Sequence, residues 1–251
     1  MKTLFLAWQD PSSQTWFPIG QLTRREALYE FAYLQGALTA SRQGGFIPPW
    51  TFPNLHRVYR SADLFPPFAN RLLRSSRPDF PDFLKWLNIP ANEDDPLTLL
   101  ARSGGQRRDD HFEIFPQPER NEHGEYRLHF FTHGLQSFPA DVHARVQTLQ
   151  PETQLLITHD TQNPLDPRAL ILRTQDLHLV GYCPRYVAEE FFDLVCQYPE
   201  QIAITVEKVN RPPTPIQFRL LCVLTASGFE HFLPFSGSDY QPIVTKQLPV
   251  S

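Results

Sequence analysis

Hydrophobic and polar residues alternate with a period of two along much of this chain, and the alternating runs are short. Thr3 to Trp8 and Trp16 to Leu22 read as two strands joined by a polar turn through Pro11 to Gln14. Thr23-Arg24-Arg25-Glu26 has the form of a helix capping box, yet Tyr29, Phe31 and Tyr33 then alternate, which is strand chemistry. A Gly-, Pro- and aromatic-rich loop runs from Gln43 to Pro53. Helical spacing follows: Leu64, Phe68, Leu72 and Leu73 fall on one side of a helix predicted over Asp63 to Arg77. Asp79 to Leu87, with Pro81 in its first turn, and Pro96 to Arg102, stopped by Gly104-Gly105, make two more helices. Phe112 to Phe115 is a strand, and the polar run Gln117 to Gly124 predicts a domain boundary.

Beyond that run the pattern becomes almost wholly β. Tyr126 to Thr132, Leu155 to Thr158, Ala169 to Leu172 and Leu177 to Val180 are predicted strands. Ile202, Ile204 and Val206 alternate in another, and Phe218, Leu220, Cys222 and Leu224 in the last. Between them Tyr186 to Cys196 is an amphipathic helix with Val187, Phe191, Leu194 and Val195 inward. The predicted fold class is α+β: residues 1–118 form a mixed sheet with short helices. Residues 126–235 form a small antiparallel β-barrel with one or two helices, and 236–251 are a tail.

Composition narrows the functions. The chain has 251 residues, 25 of them proline, and a formal net charge of −4, so any surface for a polyanion must be local. Cys183, Cys196 and Cys222 lack Cys-x-x-Cys spacing, which fits a reducing compartment. The apolar start from Leu4 to Trp8 is too short for a leader or a membrane span, and a soluble, cytoplasmic protein with no cofactor is expected.

The chemistry concentrates between Leu155 and Arg185. Asn163 and Asp166 each adjoin a proline in one loop, a pairing that fixes a single loop shape. This stretch resembles the HIRAN domain, a small β-barrel of DNA-repair helicases of the SWI/SNF class and of free-standing bacterial proteins. Asn163, Pro164, Asp166 and Ala169 carry the resemblance, followed by Gly181, Tyr182, Pro184 and Arg185; it extends from about Leu128 to about Phe235. The resemblance implies a pocket for the 3′ end of single-stranded DNA. Within it Asp166 matches a carboxylate, Arg185 a basic position and Tyr182 a ring. Leu165 stands where a stacking tyrosine would be, and Gln136 and Ser137 replace an arginine and a tyrosine. Arg168 flanks the loop. Arg168 and Arg185 either face one another across the barrel mouth or pair with carboxylates such as Glu189 or Asp160. Asn163 and Asp166 either serve the ligand or satisfy their own loop, and Tyr182 is either a stacking platform or a core ring.

The first half resembles the N-terminal module of HipA-type proteins through Gly20-Gln21-Leu22-Thr23, Phe65 to Leu73 and Leu99 to Gly105. No kinase phosphate loop or metal-binding aspartates accompany it. A secondary basic patch is predicted from Arg71, Arg74, Arg107 and Arg108, beside the Gly104-Gly105 turn. The expected function is non-enzymatic binding of single-stranded DNA or DNA ends, in DNA repair or processing. The alternative is a protein-interaction adaptor related to HipA-type toxin-antitoxin modules, using the Leu64 to Leu73 face. Two further arrangements are drawn and set aside: a metal cluster of His129, His133, His159 and Asp160, and a hydrolase acting on nucleic acid with Asp160, Asp166 and Asp176.

Overall fold

The computed structural model describes residues 2–107 and 110–244, and its chain divides into two compact units. The first comprises, among the described residues, 2–74, 95–117 and 233–244. Its strands are β1 (Thr3–Gln9), β2 (Trp16–Arg25) and β3 (Leu28–Tyr33), followed by helix α1 (Gln35–Gln43), β4 (Tyr59–Ser61) and the single turn α2 (Pro66–Ala69). Helix α3 (Phe80–Leu87) belongs to the second unit; α4 (Pro96–Ser103) and β5 (Phe112–Pro116) return to the first. The sheet has the order β4-β3-β2-β1-β5, and every pair is antiparallel. Leu4, Ile19, Leu22, Phe31, Tyr33 and Phe68 are fully or nearly fully buried in its core.

Two sequence expectations need correction here. The helix predicted over Asp63 to Arg77 is only the turn Pro66–Ala69. Past it the amides of Arg71 and Leu72 bond three residues back, to Phe68 and Ala69, and the Arg71 Nε takes the Pro67 carbonyl (3.0 Å). Phe68 is buried, and Leu64 and Leu72 pack against the same core, so the face proposed for a protein partner is already covered. As far as residue 244 the predicted tail, 236–251, is tied into the first unit, and residues 245–251 of that prediction lie outside the described residues. Phe235 is buried against Phe5 and Phe115, and the Ile243 amide donates to the Tyr33 carbonyl (2.9 Å).

The second unit spans 75–94 and 118–232, so one boundary at the polar run does not describe the division. The 75–94 excursion is held by α3, whose Phe83 and Trp86 rings pack on Phe218 at 6.0 and 6.3 Å. Its further elements are β6 (Glu119–Arg120), β7 (Tyr126–Phe131), α5 (Ala140–Thr148), β8 (Gln154–His159) and β9 (Leu170–Arg173). They continue as β10 (Leu179–Tyr182), α6 (Arg185–Gln197), β11 (Ile202–Val209) and β12 (Leu220–Ala226). The sheet runs β10-β9-β8-β11-β12-β7-β6, antiparallel throughout. Among the described residues β10 also meets the end of β7 at one bridge, His133 with Tyr182, whose two N–H···O bonds measure 2.9 and 3.0 Å.

In β12 all five residues from Leu220 to Leu224 are buried, because this central strand is covered on both faces and alternation has no solvent side to report. The predicted strand Leu177 to Val180 begins two residues later than expected. Leu177, at φ +66°, is consumed by the turn in which Thr174 and His178 exchange backbone and hydroxyl bonds. Among the described residues, no helix is long and apolar enough to cross a membrane.

Candidate nucleic-acid interface

The loop between β8 and β9 is fixed by its own polar side chains. Asn163 Oδ1 accepts from the amides of Leu165 and Asp166, both at 3.0 Å, and Asp166 Oδ1 accepts from Arg168 N at 2.9 Å. Asp160 Oδ1 accepts from Gln162 N (3.2 Å), while its amide closes the loop onto the Ala169 carbonyl (2.9 Å). These are Asx turns, which short side chains next to prolines form readily. Asn163 thus serves its loop. Asp166 serves it with one oxygen only, and its second oxygen faces Arg185 at 3.8 Å.

Tyr182 stands beside this loop at the end of β10. Its hydroxyl donates to Asp160 Oδ2 (2.8 Å), and its ring stacks on Phe138 with centroids 5.8 Å apart and planes 23° from parallel. Both rings are half-buried. Burial first, and the Asp160 carboxylate second, raise the tyrosine pKa, so the hydroxyl stays a donor; the positive charge of Arg173 acts in the opposite sense. Gly134 lies against the pair: at φ +81°, a Cβ there would sit 3.0 Å from the Tyr182 ring and 3.7 Å from that of Phe138. Gln136 and Ser137, between Gly134 and Phe138, are exposed, as is Leu165.

The bridge residue His133 brings a pH dependence. Burial pushes its imidazole down to about 4, whereas an unfolded histidine titrates near 6.5. The unfolded chain therefore binds the extra proton first. Stability from this group is complete above about pH 6.5 and is lost as pH falls through that value toward 4. Urea midpoints measured across this range should fall toward acid in the native chain. In His133→Gln they should fall less; equal slopes for both proteins would contradict the assignment.

Arg168 and Arg185 are brought together, but against carboxylates. Arg185 Nε bonds Glu189 Oε1 at 3.0 Å, one helical turn along α6. Arg168 reaches the Glu189 carbonyl and Asp193 Oδ2, both at 3.3 Å, and lies over the Phe192 ring at 5.3 Å. Burial raises the Glu189 pKa despite both arginines. Two guanidinium groups thus face three carboxylates, those of Asp166, Glu189 and Asp193, and the surface is not a bare basic mouth. Of the two arrangements expected, carboxylate pairing is the one present, with Glu189 and not Asp160 as the shared partner.

The secondary basic patch does not form as drawn. The Arg71 side chain is only 7% exposed; it is paired with Asp110 and donates to the Gly105 carbonyl at 2.7 Å. The Gly-rich turn caps α4, with Gly104 in the left-handed conformation, and its Gly105 carbonyl is committed to Arg71. Arg74 and Arg107 are exposed, and Arg108 lies outside the described residues. The imagined metal set is also dispersed: His129 is on β7, His133 at the bridge, and His159 Nε2 hydrogen-bonds the Pro167 carbonyl (2.8 Å). Among the described residues no three His, Cys, Asp or Glu side chains converge as a metal site.

Phe138 and Arg173 are the members that reading the sequence missed. The signal for Phe138 was present: an aromatic stands one residue after Ser137, the position where the resemblance led one to expect a ring. Arg173 sits opposite Leu179 at the strand end and carries no local mark of its role.

Comparison with known proteins places this site in a family frame. Residues 126–224 match the model of the HIRAN domain. The match does not reach the first unit, and the comparisons do not support the HipA-type resemblance expected there. Among solved structures, a protein from Lactobacillus plantarum is similar at 20% identity, with a TM-score of 0.32, over 41% of this chain and 97% of that one. The HIRAN domain of human HLTF is similar at 16% identity, with a TM-score of 0.30, over 41% of this chain and 74% of that one. No curated protein matches the chain.

Proposed function

We propose that the HIRAN-matching domain binds single-stranded nucleic acid, at a strand end or along a short single-stranded stretch, and that it does so without catalysis. The observation that carries this reading is the half-exposed Phe138–Tyr182 ring pair, set beside the Asp160–Ala169 loop inside the matched segment. A ring face accepts any base, and each base stacked on such a face contributes about 1–3 kcal/mol. Tyr182 is held in place by Asp160 and by Gly134, so little side-chain entropy is lost on stacking. The charge of Arg173 acts on Tyr182, Arg168 and Arg185 lie at the neighbouring Asp166 loop and the start of α6, and a phosphate would draw the latter two from Asp193 and Glu189. DNA repair or processing is the biological setting this reading suits.

The exchange of carboxylate for phosphate makes affinity modest and salt-dependent. Titrating labelled single strands ending in 3′-hydroxyl or 3′-phosphate, and a blunt duplex, over a salt series tests the proposal. Single strands should bind more tightly than duplex. Tyr182→Ala should weaken binding by about tenfold, as expected for one stacked base, and Phe138→Ala comparably, while Phe138→Tyr should hold affinity. Arg185→Glu should lower both affinity and the salt slope. An affinity that ignores salt and all these substitutions rejects the proposal.

A further inference from the structure

The first sheet carries a polar cleft on the face turned away from its core. Leu22, Phe31 and Tyr33 belong to that core, so strand pleating sets Gln21, Thr23 and Arg25 of β2, with Glu30 and Ala32 of β3, on the opposite face. Cross-strand register places Thr23 against Glu30 and Gln21 against Ala32. All five residues line one cleft of about 170 Å³, which Val58, Pro242 and Val244 complete. The last two are tied down: Pro242 bridges Leu34, and the Ile243 amide between them donates to the Tyr33 carbonyl (2.9 Å).

The fold itself makes little use of the polar groups in this cleft. Thr23 is only 7% exposed, yet neither its hydroxyl nor the Gln21 side-chain amide has a hydrogen-bond partner among the described residues. A buried hydroxyl is costly to leave unmet. Glu30 is engaged, since Arg60 Nε donates to its Oε1 at 3.0 Å. Arg25 stands 3.9 Å from the other Glu30 oxygen, outside hydrogen-bond reach, and its guanidinium group makes no hydrogen bond among the described residues. Two guanidinium groups thus flank one carboxylate, and positive charge is left in excess. A guanidinium fork, a hydroxyl and an amide therefore stand at alternate positions of one strand, with the apolar Ala32, Val58 and Val244 beside them. Such a fork matches a carboxylate. The volume is close to the roughly 150 Å³ cavity that takes a benzene ring.

We propose that this cleft binds a small monocarboxylate with a compact apolar body. Its carboxylate lies on the Arg25 guanidinium with the Thr23 hydroxyl as a further donor, and its body lies against Ala32, Val58 and Val244. A phosphate dianion would bring a second negative charge toward Glu30 and leave the apolar wall uncovered. A neutral molecule would leave Arg25 without a forked partner. The proposal is independent of the nucleic-acid reading, whose residues belong to the second unit.

Titrating benzoate into the full chain, followed by amide NMR, tests it, with benzamide and inorganic phosphate as controls. Benzoate should give saturable shifts confined to residues 21–25, 30–32 and 242–244, with a Kd of about 1 mM or below; the controls should give none there. Arg25→Gln should weaken binding at least about tenfold and Thr23→Val by several-fold, while Arg25→Lys should recover only part. The Arg25 side chain is half exposed, so its variants should keep the thermal midpoint of the parent; if Thr23→Val misfolds, the Arg25 pair decides. No saturable shift at about ten times that concentration, or binding indifferent to Arg25, overturns the proposal. So does displacement of benzoate by phosphate. Shifts that arise only after residues 245–251 are removed overturn it too, because the chain's own end would then be the occupant.

Discussion

Replacing Gly181 with alanine should cost the second unit about 2–6 kcal/mol, adding the usual ranges for an overpacked contact and for a strained backbone. Gly181 has φ +146°, a conformation that side chains rarely allow. An added Cβ would lie 2.6 Å from the Thr132 Cβ and 2.9 Å from its hydroxyl oxygen. Thr132 has nowhere to retreat. Its amide is bonded to the Leu220 carbonyl (3.0 Å), and the next residue is the His133–Tyr182 bridge. The clash therefore falls on the bond pair joining β10 to the end of β7. The denaturation midpoint should drop with the slope unchanged, and single-strand binding should fall with it, because Tyr182 is the neighbouring residue. Adding Thr132→Gly should recover the steric part of the loss and leave the backbone part. An unchanged midpoint in Gly181→Ala would mean that this seam tolerates separation.

Arg71→Ala should be the most damaging single change in the first unit, at about 3 kcal/mol. Breaking a buried ion pair costs about 3–5 kcal/mol, and the lower end applies because Asp110 retains 24% exposure. The guanidinium group joins three segments: it bonds the Pro67 carbonyl in α2, the Gly105 carbonyl after α4, and Asp110 before β5, and it lies 5.5 Å from the Phe112 ring. Arg71→Lys should recover little, since a point charge cannot serve a forked set of acceptors. Thermal midpoints of the three proteins decide this. Equal stability of the lysine variant and the parent would show that charge alone suffices there.

Much of the fold was legible. The strands beginning at Thr3, Trp16, Phe112 and Tyr126 and the helices starting near Phe80, Pro96 and Arg185 lie where alternation, proline placement and helical spacing put them. Helices α1 and α5 left no comparable trace. α1 has a glycine in its first turn and no side-chain cap, and α5 buries only Val142 and Val146. The site was legible as a loop and a ring. Asn163 and Asp166 beside prolines announce the Asx turns, because those bonds span two or three residues and need no distant partner.

The sequence by itself therefore determined what local chemistry can enforce: strand and turn positions, the stiffness of the 160–169 loop and the presence of Tyr182 at its side. Tertiary structure alone decided which groups meet. It put Phe138 on Tyr182, Glu189 between two arginines, Asp110 on Arg71 and the C-terminal Phe235 in the first core. Each of those outcomes depends on strand register and helix packing, which bring side chains 4 to more than 200 positions apart into contact. A charged residue's role follows from the partner it finds there, and residue type alone does not name that partner.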